Sequence, residues 1–248
     1  MNRLAPAAWC NPAVRCPAMP DALLIAHGAP SDPEPQQAAM AALARAVATH
    51  LPDGWRIGGA TLAAAGAIEA ALTALDHPVI YPFFMAEGYF TRTLLPRRLR
   101  AAGAAGLVQL PCFGQSPLLP TLVAQACLDA ATTARLAPHA TTLLLAAHGS
   151  KVSRASANAT RALAARLAQA TPFARIVTAF VEEHPLIRTA AVGLHPAICL
   201  PLFALRAAHV AGDVPEALAQ AGFRGVLLPA IGEHHLVPAL VAAALRPS

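Results

Sequence analysis

The chain has 248 residues, enough for one large or two small α/β domains with a substantial core. It is 56% hydrophobic, only 12% charged, and carries a formal net charge of +5 at pH 7. The absence of a basic tail or aromatic–basic interleaving argues against a nucleic-acid partner, and the longest charge-free run, 101–128, is broken by prolines and glycines, which argues against a membrane span.

Residues 1–20 lack the continuous apolar core of a signal peptide and read as a disordered tail, with Met19 as an alternative start. Five cysteines (Cys10, Cys16, Cys112, Cys127 and Cys199) form no CxxC pair. They point to a reducing, cytoplasmic setting, with Cys10 and Cys16 as bystanders in the tail. From residue 21 onward the chain alternates short apolar runs with helical patterns. Strands are predicted at 22–27, 56–63, 78–84, 107–112, 142–148, 174–181, 196–203 and 224–229. Helices are predicted at 34–50, 67–75, 92–104, 117–135, 155–170, 185–193, 213–221 and 235–246. Repeated βα units imply α/β architecture, with parallel sheets covered by helices on both faces.

The second four units repeat the first. His27-Gly28 matches His148-Gly149, YPFFMAEGYFTRTLLP (81–96) matches LPLFALRAAHVAGDVP (200–215), and LPCFGQSPLLPTLV (110–123) matches LPAIGEHHLVPALV (228–241). The three matches keep their order at an offset of about 120 residues, the signature of an internal duplication. We expect an N-terminal α/β domain at 21–136 and a C-terminal one at 137–248, similar in fold and facing a central cleft.

Both halves end their first strand in histidine, His27 and His148, and in open α/β sheets ligands bind at the carboxyl ends of strands. Gly149 supplies a permissive backbone there, and Ser150 or Ser153 is expected to cap the next helix. Beyond this the halves differ. The C-terminal half has Glu182 and Glu183 after its second strand and His209 after its third, where the N-terminal half has Ala63, Ala64 and Phe90. Two imidazoles and a carboxylate on one sheet edge suit Fe²⁺, Co²⁺, Ni²⁺ or Zn²⁺. Spacing leaves open whether Glu182 or Glu183 is the ligand.

These residues resemble a known family, the class II tetrapyrrole chelatases (the CbiX/SirB/CbiK group of sirohydrochlorin cobaltochelatases and ferrochelatases), over about residues 21–248. The resemblance rests on the strand ending in His148-Gly149-Ser150, on Ala179, Phe180 and Glu182, and on the ordered set Pro201, Phe203, His209, Val210, Asp213 and Pro215. It implies ATP-independent insertion of Co²⁺ or Fe²⁺ into sirohydrochlorin or a related tetrapyrrole, in cobalamin or siroheme biosynthesis, and hence a lyase. It implies His148, His209 and Glu182 as catalytic and metal-binding residues, with the metal as substrate and no permanently bound cofactor. Ser150, Lys151, Arg154, Arg206 and Phe90 are expected to contact the macrocycle. Partners are then the tetrapyrrole and the metal, without nucleic acid or membrane, and the chain is expected to be a monomer or loose homo-oligomer.

Phe90 departs from the family pattern, so the N-terminal site is read as degenerate and His27 as a relic. Phe83, Phe84, Tyr89 and Phe90 are candidates for an apolar wall against the macrocycle, with core packing favoured for Phe84. Arg97, Arg98 and Arg100 read as a solvated helix face, and His50, His77, His139, His184 and His195 as solvated. His234-His235 match Ser116-Pro117 and read as ordinary loop. The competing readings are a non-catalytic tetrapyrrole or metal carrier on the same fold and a periplasmic-type small-molecule binder.

Overall fold

The computed structural model describes residues 21–206 and 212–246. The tail 1–20 and His209 lie outside the described residues.

Two parallel sheets form. β1 (Asp21–Ala26) is flanked by β2 (Arg56–Thr61) and β3 (Val79–Pro82) in the order β2-β1-β3. β4 (Thr142–Ala147) is flanked by β5 (Arg175–Phe180) and β6 (Ala197–Pro201), and β7 (Val226–Leu227) extends the sheet to the order β5-β4-β6-β7. The registers repeat as well: Asp21 lies opposite Arg56 in the first sheet, and Thr142 opposite Arg175 in the second. The expected strand at 107–112 does not form. It reduces to a bridge between Ile80 and Gln109, held by Ile80 N–H to Val108 O (2.8 Å) and Leu110 N–H to Ile80 O (2.9 Å). Pro111 has no N–H with which to continue the ladder.

The helices are α1 (Pro33–Ala48), α2 (Ala67–Ala74), α3 (Leu95–Ala101), α4 (Leu119–Thr133), α5 (Ala155–Ala170), α6 (Ile187–Ala190), α7 (Val214–Gln220) and α8 (Val237–Leu245). Proline occupies the first or second position of α1, α3, α4, α7 and α8, where its missing N–H costs no helical hydrogen bond. α3 follows directly on a π-helical turn at Phe90–Leu94, and residues 212–213 before α7 are π-helical too.

The central strands are apolar on both faces because helices cover both. Ala22, Leu24 and Ala26 of β1 and Leu143, Leu145 and Ala147 of β4 enter one shared core with residues of α1, α4, α5 and α8. Leu23 and Ile25 face outward onto α2 and α3, and Leu144 and Ala146 onto α6 and α7. The layers therefore run α2/α3, first sheet, a middle layer of α1, α4, α5 and α8, second sheet, α6/α7. The two sheets share their middle layer, so the halves are held together by a common apolar core. Cys127 and Cys199 lie inside this packing, and burial pushes both thiols up to about 12. No helix among the described residues is long and apolar enough to cross a membrane.

Candidate functional site at the strand ends

The C-terminal half brings His148 and Glu182 together. Parallel pairing places Ala147 opposite Phe180, and the next backbone bonds run from Val181 N–H to Ala147 O and from Glu182 N–H to His148 O, both 3.0 Å. The chain leaves both strands at this level, so the two side chains project past the sheet edge. His148 Nδ1 lies 4.0 Å from Glu182 Oε2, with 38% and 42% of the respective side chains exposed. Nδ1 also lies 3.1 Å from Gly149 O. That carbonyl is an acceptor within reach of an Nδ1 proton, the kind of backbone contact that fixes the orientation of an imidazole ring. Phe203, at the end of β6, stands 6.4 Å from the His148 ring.

Glu183 has a different task. Its Oε2 accepts the Ser150 N–H (2.9 Å), and its Oε1 lies 3.5 Å from Arg161 Nη2. The Arg161 guanidinium also sits 5.2 Å over the Phe180 ring. Glu183 thus fixes the turn after His148, and Glu182 is the carboxylate that faces the histidine. Gly149 adopts φ +71°, and a Cβ there would lie 2.8 Å from Glu183 Cγ and 2.9 Å from Phe180 Cβ, so the tight turn needs glycine. Ser150 Oγ accepts the N–H groups of Val152 and Ser153 (3.1 Å each), and Ser153 Oγ accepts that of Ala155 (3.3 Å) at the start of α5. Neither serine caps α5, whose N-cap position is Arg154; Ser153 contacts the first helical N–H and Ser150 shapes the loop.

The N-terminal half repeats the scaffold without the donors. Leu62 N–H to Ala26 O (2.9 Å) and Ala63 N–H to His27 O (3.0 Å) reproduce the crossing of β4 and β5, which puts Ala63 where Glu182 stands. His27 Nδ1 lies 2.7 Å from Gly28 O. The Phe90 ring packs edge-on against His27 with centroids 4.2 Å apart. Phe83 does not join an exposed wall: it is buried against Phe113. Phe84 is half-buried, while Tyr89 and Phe90 are exposed.

Among the described residues, no three His, Cys, Asp or Glu side chains converge as a metal cluster, and His209 lies outside them. Lys151, Arg154 and Arg206 are exposed, and the Arg206 carbonyl accepts a 3.2 Å bond from Gln36 Nε2 of the other half. The boundary between the halves, where a cleft was expected, holds a cavity, and a further one was not anticipated from the sequence. One of about 180 Å³ lies between the halves, with Met85, Gln115 and Ser116 on one side and Ser156, Arg166 and Leu202 on the other. One of about 170 Å³ lies beside the end of β5, lined by Phe180, Val181, Arg188, Asp213 and Glu216. Asp213 belongs to the ordered set that carries the family resemblance, and the duplication sets it and Glu216 against Leu94 and Arg97.

Comparison with known proteins gives a consistent result. The CbiX family model matches residues 142–248. The solved structure described as "CbiX, the terminal enzyme for biosynthesis of siroheme in denitrifying bacteria" is 47% identical, with a TM-score of 0.84 over 91% of this chain and 97% of that one. SirB from Bacillus subtilis with Fe³⁺ shares the fold at 16% identity, with a TM-score of 0.69 over 92% of this chain and 94% of that one. DR2241 from Deinococcus radiodurans, a multi-domain protein with structural similarity to chelatases, shares it at 23% identity and a TM-score of 0.66, over 92% of this chain and 54% of that one. No curated protein sequence matches.

Proposed function

The chain belongs to the CbiX family of class II tetrapyrrole chelatases, and we propose that it inserts Co²⁺ or Fe²⁺ into sirohydrochlorin or a closely related tetrapyrrole, without ATP, at the strand ends of the C-terminal half. The observation that carries this reading is the pairing of His148 with Glu182 at the ends of adjacent strands, in a chain 47% identical to the CbiX of siroheme biosynthesis. Insertion exchanges one divalent metal for two pyrrole protons. Neutral His148 and His209 bind the incoming metal and, as it passes to the macrocycle nitrogens, take up the two departing pyrrole protons, for which imidazole chemistry is suited. Glu182 offsets the metal charge and keeps the imidazole oriented. His209 is proposed as the third ligand on the strength of the family pattern. Lys151, Arg154 and Arg206 offer exposed cations to the peripheral carboxylates, Ser150 offers a hydroxyl, and Phe90 an apolar contact. We place the reaction in siroheme or cobalamin synthesis in the cytoplasm, and we expect a monomer or loose homo-oligomer, the duplication supplying the paired halves within one chain.

The test follows the macrocycle absorbance on addition of Co²⁺ or Fe²⁺. The expected result is metal-dependent conversion by the wild type, lost in His148→Ala, His209→Ala and Glu182→Gln. A folded wild type that inserts neither metal would overturn the assignment.

A further inference from the structure

α1 turns one stripe of its surface into the shared middle layer: Gln36, Met40, Ala44 and Val47 are its buried residues, spaced three to four apart. Three of the four are apolar. Gln36 heads the stripe and is only 8% exposed. The stripe of α5 begins instead with Ala157, which the duplication sets against Gln36 at the offset of His27 and His148 and which is fully buried. The fold therefore closes over this position with a methyl group, and the glutamine answers a need other than filling space.

A buried amide is tolerated when its donors and its acceptor are paired. Gln36 is paired at one end only. Its Nε2 donates to Arg206 O (3.2 Å), and its Oε1 is buried with no partner among the described residues. Gln37, the next residue, is the opposite case. Its Nε2 donates to Gly59 O (3.0 Å) and its Oε1 accepts the Thr61 N–H (2.9 Å), so both ends serve β2 of its own half. The bond of Gln36 crosses to the other half, to a residue 170 positions away. One other side-chain bond among the described residues joins the halves, from Arg246 to His50 O beyond the far end of α1. Gln36 makes the crossing on the strand-end side.

The segment that leaves β6 is tied down in sequence order. Leu202 N–H donates to Ala146 O (2.7 Å) and Phe203 O accepts the Gly232 N–H (3.0 Å), both within the second half. These bonds fix Phe203, the ring beside His148. The next tie is the Gln36 bond at Arg206, whose exposed side chain is the cation proposed above for a peripheral carboxylate. We infer that Gln36 is a positioning residue that the N-terminal half contributes to the C-terminal site: its half-paired amide, unfavourable for stability, fixes the backbone at Arg206 and so the place of the guanidinium that meets the substrate. The role in substrate binding rests on the chelatase reading above.

The experiment compares the full chain with Gln36→Met, which keeps the side-chain length and removes both polar ends, and with Gln36→Ala, which installs the residue of α5. It measures melting temperature, the kinetics of Co²⁺ insertion into sirohydrochlorin, and the rate of tryptic cleavage after Arg206. Gln36→Met is expected to melt at or above the wild-type temperature, because a buried unpaired acceptor is gone. It should raise the KM for sirohydrochlorin about tenfold, the size expected for one charge-assisted hydrogen bond, and leave kcat within about threefold. Cleavage after Arg206 should quicken, and cleavage after the exposed Lys151 and Arg154 should not. Gln36→Ala should raise KM equally, since the bond and not the shape is lost. Arg206→Ala keeps the backbone acceptor, so adding Gln36→Met to it should leave KM where Arg206→Ala alone puts it. A lower melting temperature with KM unchanged, or KM effects of the two replacements that add, would overturn the inference, because a merely structural glutamine acts through folding alone. A wild type that inserts neither metal would sink the chelatase assignment and the role in substrate binding with it, while the cleavage rates would still decide whether Gln36 anchors Arg206.

Discussion

His27 and His148 occupy equivalent places, yet their surroundings diverge completely. Each ends a buried central strand, each precedes a glycine at positive φ, and each directs Nδ1 at that glycine's carbonyl. His148 then faces Glu182, whereas His27 faces Ala63 and carries the edge of Phe90. A fold can thus preserve a histidine through its backbone geometry alone, and the chemistry depends on what the neighbouring strands deliver. The sharpest way to break this comparison is to remove both histidines in turn. His148→Ala is expected to reduce metal insertion about 100-fold or more, because a first ligand is lost. His27→Ala should stay within about threefold, measured by the initial rate of absorbance change, because a positioning effect on the bound ring is the most it can disturb. Equal losses in both would mean that the halves do not differ in the way proposed.

A constructive test restores the missing donors. Ala63→Glu with Phe90→His gives the N-terminal half the residues that duplication places at Glu182 and His209. The backbone crossing there is already that of the C-terminal half. Calorimetry with Co²⁺ alone should therefore detect a second, weaker site per chain. Unchanged metal stoichiometry would show that the two edges differ in backbone placement as well as in side chains.

Much of this was legible in the sequence because duplication doubles every signal. Pro96 with Pro215 and Pro120 with Pro238 mark helix starts in both halves, and the structure begins α3, α7, α4 and α8 there. Gly114 and Gly232 repeat for a reason visible only in three dimensions: a Cβ at either would overlap a backbone carbonyl, of Met85 or of Ala204. What escaped the sequence were features set by tertiary contact. The run 107–112 is apolar enough for a strand, but only the segment before Pro111 reaches β3. Glu182 and Glu183 are adjacent and identical in type, and only the Ser150 and Arg161 contacts separate their roles. The arginines of α3 form the exposed face expected of them, and the bond from Arg98 to Leu62 O that sets one beside the end of β2 is a tertiary contact no periodicity shows.

Glycine substitutions probe the comparison through stability. Gly28→Ala and Gly149→Ala each force a side chain into positive φ (+75° and +71°) with Cβ contacts below 3 Å, and each is expected to cost about 1–3 kcal/mol in chemical denaturation. In the C-terminal half the clash is with Glu183 and Phe180, so Gly149→Ala should also lower insertion in the protein that remains folded. Gly28→Ala meets Ala63 and Thr61 and should act on stability with little further loss.

The smallest expected difference concerns the helix starts after the last strand position of each half. Ser116 Oγ accepts the Leu118 N–H (3.3 Å) before α4, and at the matching position His234 Nδ1 accepts the Leu236 N–H (3.3 Å) before α8. The serine contact does not titrate, but the histidine must be unprotonated at Nδ1 to accept. Burial, and then the neighbouring His235, lower the His234 pKa below its ordinary value, with Asp129 opposing. A base whose pKa is lowered by folding is protonated more readily in the unfolded chain. Its contribution is therefore present above the unfolded value of about 6.5 and is lost as pH falls toward the lower folded value. Solvent screening at this half-buried ring limits the effect to a few tenths of a kcal/mol. His234→Ser, which installs the residue of the other half, should flatten the difference in melting temperature between about pH 7.5 and 5.5 relative to wild type, because α8 then starts as α4 does, on an acceptor that acid cannot switch off. An unchanged pH slope in that variant would place the acid sensitivity elsewhere in the chain.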